Sequence, residues 1–565
     1  MSWLLGFLGT SLSPTRREGL VSLHPSGSVT EADGFYVASG GLPETHHLGT
    51  NWAVVGLGLR YEDTHTSPLN HADWDRLLTP HAPDLRSLDG HFVAVRWQPG
   101  EVVCLTDPLG VRTLYLTTLP DGTAFSTRLD WLARLSGNTA LDLFALGSHW
   151  LTFNQLSSAS LLKGIQRLGP GGKATLTPTS TTLTEHPWSP RSTTPDPDAF
   201  ARTLTAFLHP ALPEGRTLSL GLSGGLDSRL LLALRASDRE GFATHVFGDP
   251  EHPDAQLSRS LAAHLGLAQR SYQPPLPDPD TCLSLLRTHV AQTQAISPAS
   301  SALGLWHYPR LYDDGAWLID GGFGEVARRQ FMNRLWHRGR AALRSGKPEA
   351  ILPYLHVNRA EVFMQDALID MQHGADAEIE KLLDSLPPRE TLGEAGLLDL
   401  IGVRTRLPNF FGYEQNRLDG LIPGYMPFAQ PSVLEAVFRT PLPLRQNGRF
   451  FRDLIRTRQP GLARFPLVKG TQTYPFRLGP VGAMVWTKAK ARLRPSYRNI
   501  MRLAFLEALR PYALEAAATA HRHFGEYDPA KLTALVEGYY QGKHNRAAEV
   551  DWWLAFETWR QVLND

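Results

Sequence analysis

The stretch that most constrains the fold is Thr217-Leu218-Ser219-Leu220-Gly221-Leu222, followed by Ser223-Gly224-Gly225-Leu226-Asp227-Ser228 and then Arg229-Leu230-Leu231-Leu232. A near-continuous apolar run ahead of two glycines predicts a buried strand, and the leucine-rich run after them predicts a helix. A strand that turns directly into a helix gathers backbone N–H groups and two hydroxyls at a helix N-terminus, which is an anion site. Leu222, Ser223, Gly224, Gly225 and Ser228 are therefore expected to hold a nucleotide. The glycines admit a phosphate without Cβ interference and the serines donate hydrogen bonds. Asp227 offers a carboxylate to the magnesium ion that a triphosphate requires. Gly-Gly and Asp-Ser are also ordinary turn and capping residues, so a plain strand-to-helix turn is the competing reading. The complete hexapeptide between strand and helix favours an ATP-using enzyme that expels pyrophosphate.

Around this loop the chain changes grammar. Residues 1–190 alternate short β-rich runs with turn signals, among them Trp52–Leu57, His91–Trp97, Val102–Leu105 and Thr113–Leu116, which predicts a mostly antiparallel, sandwich-like domain. The Thr-, Ser- and Pro-rich stretch Thr177–Asp198 reads as a linker. Within 199–565, Thr244–Gly248 and Ala316–Asp320 repeat the strand pattern, and Ser228–Ala236 and Asp254–Leu265 the helical one, which predicts a doubly wound parallel sheet. From about residue 340 onward the pattern is mainly helical, with apolar residues at helical spacing in Leu397–Val403 and Trp552–Val562. The fold class is thus α/β with two domains.

The charge balance narrows the partners. With 56 Lys+Arg against 55 Asp+Glu, the chain lacks the basic excess expected of a nucleic-acid or anionic-membrane binder. The basic stretches Arg328–Arg344 and Lys488–Arg502 contain interleaved apolar residues and read as solvated faces of amphipathic helices. Cys104 and Cys282 are too few for a disulfide framework or a zinc site, so a reducing, cytoplasmic location is expected. The apolar start Ser2–Gly9 breaks too early for a membrane span or a signal h-region and reads as a buried strand.

The loop resembles that of the N-type ATP pyrophosphatases, and its surroundings resemble the asparagine synthetase family over nearly the whole chain. Leu88–Val95, Asp107–Tyr115, Leu168–Gly172 and His186–Trp188 are similar to segments of that family's N-terminal domain, and Gly424–Phe428 and Pro466–Lys469 to segments of its synthetase domain. The resemblance implies an N-terminal Ntn-hydrolase-like αββα sandwich, related to class II glutamine amidotransferases, and a C-terminal ATP-pyrophosphatase domain. It implies that Lys469 stabilises phosphate charge, that Phe247 and Gly248 contact adenine, and that Glu414 accepts a proton from an attacking amine. The family's Gly-Glu-Gly-x-Asp-Glu is matched by Asp320-Gly321-Gly322-Phe323-Gly324-Glu325. This keeps Gly322 and Glu325 but puts Gly324 where a metal-binding Asp belongs, leaving Asp320 as the substitute metal ligand.

Two departures bear on nitrogen supply. Leu5 stands where the family has its nucleophilic Cys, with Ser2 three residues early, and the apolar Val55–Leu59 replaces an amide- and carboxylate-bearing segment. The expected activity is therefore ATP-dependent amide-bond formation without glutaminase chemistry. The resemblance implies that a small-molecule or peptide carboxylate, that of a precursor peptide among them, is adenylated and resolved by an amine or ammonia, as in β-lactam synthetases and lasso-peptide cyclases. Ammonia-dependent asparagine synthesis and a non-catalytic nucleotide-binding relative are the alternatives.

Overall fold

The computed structural model describes residues 2–564 apart from 80–83, 193, 237, 239, 274, 494–496 and 498. Two antiparallel sheets form the first part of the chain. One has six strands in the order Ile165–Leu168, Leu114–Leu119, Gly122–Ser126, Trp3–Gly9, Phe35–Gly40, Ser28–Ala32. The other runs Ser180–Thr184, Lys173–Thr177, Glu101–Thr106, Asp89–Gln98, Trp52–Tyr61, His46–Leu48, with Thr66–Pro68 added beside Trp52–Tyr61. Leu4, Leu8, Phe35 and Val37 from the first sheet meet Ala53, Val55, Val93 and Val95 from the second in one apolar layer. Because side chains alternate along a strand, Trp3, Leu5 and Phe7 face the other way, into a core that also holds Trp553, Phe556 and Trp559. Burial on both faces is why the strand's sequence is unbrokenly apolar.

The strand Ser180–Thr184 lies inside the stretch expected to be linker. Its Thr and Ser residues pair with Lys173–Thr177 through the backbone, an edge strand whose polar side chains leave no hydrophobic signal. Residue 193 of that stretch falls outside the described residues.

The second part is built on five parallel strands: β1 (Thr217–Gly221), β2 (Phe242–Phe247), β3 (Gln269–Tyr272), β4 (Ala316–Ile319) and β5 (Gly424–Tyr425), in the order β3-β2-β1-β4-β5. Helix α1 (Leu226–Arg235) follows β1 and helix α2 (Pro253–Leu265) follows β2. The chain builds outward from β1 to β3, then returns to the other side of β1 to lay down β4 and β5. The boundary between β1 and β4 is therefore a topological switch point, where the loops leaving neighbouring strands diverge and open a crevice.

Beyond β4 the chain is mainly helical, ending in Ala547–Asn564. Leu397–Val403 straddles the helix Arg389–Ile401 and a wider, π-helical stretch Gly402–Phe411. The basic stretch Arg328–Arg344 departs from the expected solvated face at its start. Arg328 pairs with Asp227, and Arg329 is sealed in the core within 3.5 Å of Asp399. Of Lys488–Arg502, residues 494–496 and 498 lie outside the described residues, and Lys488 is exposed on the helix Pro480–Leu493. Cys104 and Cys282 are buried free thiols. Among the described residues no helix is long and apolar enough to cross a membrane.

Candidate functional site

The switch point carries the predicted residues Leu222–Ser228 and Asp320–Glu325. The loop Ser223–Gly225 leaves β1, and Asp320–Phe323 leaves β4 beside it. Leu222 is buried, and its N–H donates to the His245 carbonyl at 3.0 Å, which ties the loop to β2. Ser223 Oγ and Ser228 Oγ lie 3.0 Å apart, and Ser228 Oγ accepts the Ser223 N–H at 3.2 Å. The Gly225 N–H donates to Ser223 Oγ at 3.2 Å. The Gly224 N–H donates to Asp254 Oδ1 at 2.8 Å, so a carboxylate from the first turn of α2 already sits on one of the loop's donors. No side chain caps α1, whose N-cap is Gly225. Its first N–H groups therefore remain available to an anion.

Beside the loop, a cavity of about 510 Å³ is lined by residues from β1, β2, β4 and their loops, among them Ser223, Phe247, Gly248, Asp254, Tyr308 and Asp320. That volume is of the size that takes a small ligand. The Phe247 ring stacks on His307 at 5.0 Å and meets Tyr308 edge-on, so one wall is aromatic. Gly248 adopts φ 89, a left-handed turn that a side chain would strain. Deeper in the sheet, burial lowers the His245 imidazole to about 3, with Arg270 adding to the effect. His245 is thus a neutral ring bonded to Ser219 Oγ through Nδ1 at 2.8 Å.

Lys469 reaches this region through a hairpin, β6 (Leu467–Lys469) and β7 (Gln472–Tyr474). The Val468 N–H donates to the Gly224 carbonyl at 3.0 Å. A Cβ on Gly224 would lie 2.4 Å from Val468 Cγ2, so the glycine permits the contact. Arg229, buried in α1, holds the incoming strand by donating to the carbonyls of Phe465 and Pro466 at 2.9 and 2.5 Å. The helix after the loop thereby anchors the hairpin over the loop, with the Lys469 side chain exposed.

The acidic residues are arranged differently from the expected metal site. Arg328 makes a bidentate pair with Asp227, Nε to Oδ1 at 2.6 Å and Nη2 to Oδ2 at 2.9 Å. A Cβ on Gly324 would come within 2.5 Å of Asp227 Cγ, so the Asp227 carboxylate fills the space a side chain at 324 would need. Asp320 Oδ1 accepts the Gly322 N–H at 2.7 Å, and burial raises its carboxyl above the ordinary range. Glu325 faces Arg406 at 3.8 Å, its carboxyl raised by burial against the opposing pull of that guanidinium. Among the described residues no three His, Cys, Asp or Glu side chains group to hold a metal ion. The donors present do not fit a magnesium ion at Asp227, because both of its oxygens are committed to a guanidinium and, among the described residues, it belongs to no group of three potential metal ligands.

Glu414 is likewise committed. Its Oε2 accepts from Arg417 Nε at 2.8 Å and its Oε1 from Ser297 Oγ at 3.1 Å. Burial alone would raise this carboxyl, but Arg417 and His289 outweigh it and hold it below its ordinary value. An ionised, ion-paired carboxylate is a weak proton acceptor, so Glu414 serves as the counter-ion of Arg417. Arg417 in turn packs behind the cavity wall at Gly304, where a Cβ would sit 3.3 Å from its Nη1, and beside Tyr308.

Arg328, Asp254, Arg417 and His307 escaped the sequence reading. Arg328 carried a signal in its position three residues after Glu325. The other three lie far from the motif in sequence and are brought to it only by the sheet.

In the N-terminal part, Leu5 is fully buried in its strand, and Val55 and Leu57 are buried likewise. Ser2 Oγ lies 2.5 Å from Thr45 Oγ1 and donates to the Asp419 carbonyl at 2.9 Å, leaving it enclosed.

No family model matches the chain, and no curated protein matches it. Two solved structures overlap it slightly. The allosteric regulatory enzyme of purine biosynthesis shares 11% identity over 50% of this chain and 77% of that one, with a TM-score of 0.23. Glutamine phosphoribosylpyrophosphate amidotransferase from B. subtilis, complexed with ADP and GMP, shares 9% over 56% and 81%, also with a TM-score of 0.23. Overlap that slight carries neither fold nor function to this chain.

Proposed function

We propose that this chain binds ATP at the switch-point crevice and uses it to activate a carboxylate for amide-bond formation. The phosphates would lie over Ser223–Ser228 and the base against Phe247 and Gly248. The single observation behind this reading is the loop itself, set between β1 and an uncapped α1, opening on the aromatic-walled cavity with the Lys469 hairpin docked on Gly224. In the proposed reaction the substrate carboxylate attacks the α-phosphorus, the bond to the bridging oxygen of pyrophosphate breaks, and an amine or ammonia then displaces AMP from the acyl group. Lys469 would offset the negative charge that grows on the phosphates. The enclosed Ser2 and buried Leu5 favour an N-terminal part, proposed as residues 1–190 with an Ntn-hydrolase-like fold, that supplies no nitrogen from glutamine. Residues 199–565 would form the synthetase part.

AMP formation from ATP tests the proposal. A panel of amino acids, dicarboxylates and short peptides, each with ammonium or an amine, should include one that yields AMP and pyrophosphate in equal amounts, unaffected by glutamine. Ser223→Ala with Ser228→Ala should reduce that yield at least tenfold. AMP formation dependent on glutamine would contradict the reading. A second reading, a nucleotide-binding protein without turnover, is favoured by the Asp227–Arg328 pair and by Asp254 on the Gly224 N–H. ATP binding with no AMP from any pair in the panel would select it.

A further inference from the structure

Arg328 stands at the point where the resemblance to the asparagine synthetases leads one to expect a divalent cation. Three features of the backbone and side chains fix it there. Asp227 lies in the first turn of α1, facing the loop that leaves β4. Gly324 in that loop lacks the side chain that would collide with the Asp227 carboxylate. Arg328, one helical turn after Gly324, closes on both Asp227 oxygens at 2.6 and 2.9 Å. The fork of a guanidinium matches a carboxylate in this bidentate way, and it retains further N–H groups on its other edge. The next residue diverges: Arg329, at φ 50, turns into the core toward Asp399. Arg328 instead stays paired with Asp227, with its side chain 20% exposed.

Charge makes the same point. A polyphosphate over the loop would approach both Asp227 and Asp254, and those carboxylates repel it unless a cation intervenes. Arg328, held in place by the fold, cancels the charge of Asp227, and its remaining N–H groups are the donors left for a phosphate. We infer that Arg328 takes the role of the divalent cation at this site, so that the loop receives a polyphosphate without magnesium. This rests on the ATP-site reading above and specifies how that site handles phosphate charge.

Calorimetric titration of inorganic pyrophosphate into the full chain, once in EDTA and once in magnesium, tests it. The inference predicts binding in EDTA with a Kd within threefold of that in magnesium. Arg328→Met should weaken binding in EDTA at least tenfold, whereas Arg328→Lys, which keeps the charge, should recover part of the loss. The wild-type comparison stands even if Arg328→Met fails to fold. Binding more than threefold tighter in magnesium overturns the inference and leaves the polyphosphate site standing. Binding in neither buffer overturns both.

Discussion

At the scale of single residues, the site is shaped by what Gly324 permits. Its missing Cβ lets the Asp227 carboxylate lie across the β4 loop and meet Arg328. Gly324→Ala should therefore force Asp227 aside and break the pair, at a cost of about 1–3 kcal/mol, typical of inserting atoms into a packed space. A chemical-denaturation midpoint checks this, and an unchanged midpoint would mean that the loop relaxes freely. Lys469 behaves oppositely. Its side chain is exposed, so Lys469→Ala should leave stability within about 0.5 kcal/mol while reducing AMP formation at least 100-fold. Equal AMP yields from wild type and variant would remove Lys469 from the proposed chemistry.

At the scale of elements, the strand–loop–helix unit was legible in the sequence, as were two further strands read as Thr244–Gly248 and Ala316–Asp320 and observed as Phe242–Phe247 and Ala316–Ile319, because buried parallel strands are mostly apolar and bounded by glycine. β3 and β5 were not. Gln269–Tyr272 is a polar edge strand, and Gly424–Tyr425 is only two residues long. The site divides similarly. Residues adjacent to the motif, Ser223 to Ser228 and Asp320 to Glu325, could be placed from the sequence. Partners drawn from α2 (Asp254) and from the helix Gly412–Leu418 (Arg417, the partner of Glu414) depend on sheet order and helix packing, which local pattern does not encode. A second packed pair of helices makes a pH prediction. Glu378, on the helix Gln365–Asp384, accepts hydrogen bonds from Ser148, at the helix Leu143–Leu151, and from Ser157 Oγ at 2.5 Å. Burial raises its carboxyl to about 7, although both serines pull the other way. Its folded pKa lies above its ordinary 4.5, so between those values the folded chain holds a proton that the unfolded chain has released. Stability from this group is thus fully present below about pH 4.5 and is lost as pH rises through about 7, by at most about 3 kcal/mol. Glu378→Gln should flatten the fall in melting temperature between pH 5 and pH 8. An equally steep fall in the variant would contradict the assignment.

At the scale of the whole molecule, the two parts of the chain share their cores. Trp3, Leu5 and Phe7 pack into the cluster that holds Trp553 and Phe556, and Leu57 and Leu59 into the one that holds Leu218 and Leu220. Between them lies Asp419, fully buried, bonded to His91 Nε2 at 2.9 Å and Arg112 Nη1 at 2.8 Å. Asp419→Ala strands a buried guanidinium and should cost about 3–5 kcal/mol. A fragment of residues 199–565 would expose the apolar face that the first strand covers, and it should lack the sharp cooperative melting of the full chain. A fragment that melts cooperatively at the same temperature would show that the shared cores contribute little.

The claim on which the rest depends is that the crevice between β1 and β4 is a nucleotide site. Its most direct test is a calorimetric titration of ATP into the full chain and into the variant carrying Ser223→Ala and Ser228→Ala. One ATP per wild-type chain, bound at least tenfold more weakly by the variant, is the predicted result. No binding to the wild type, or equal affinity for both proteins, would contradict it.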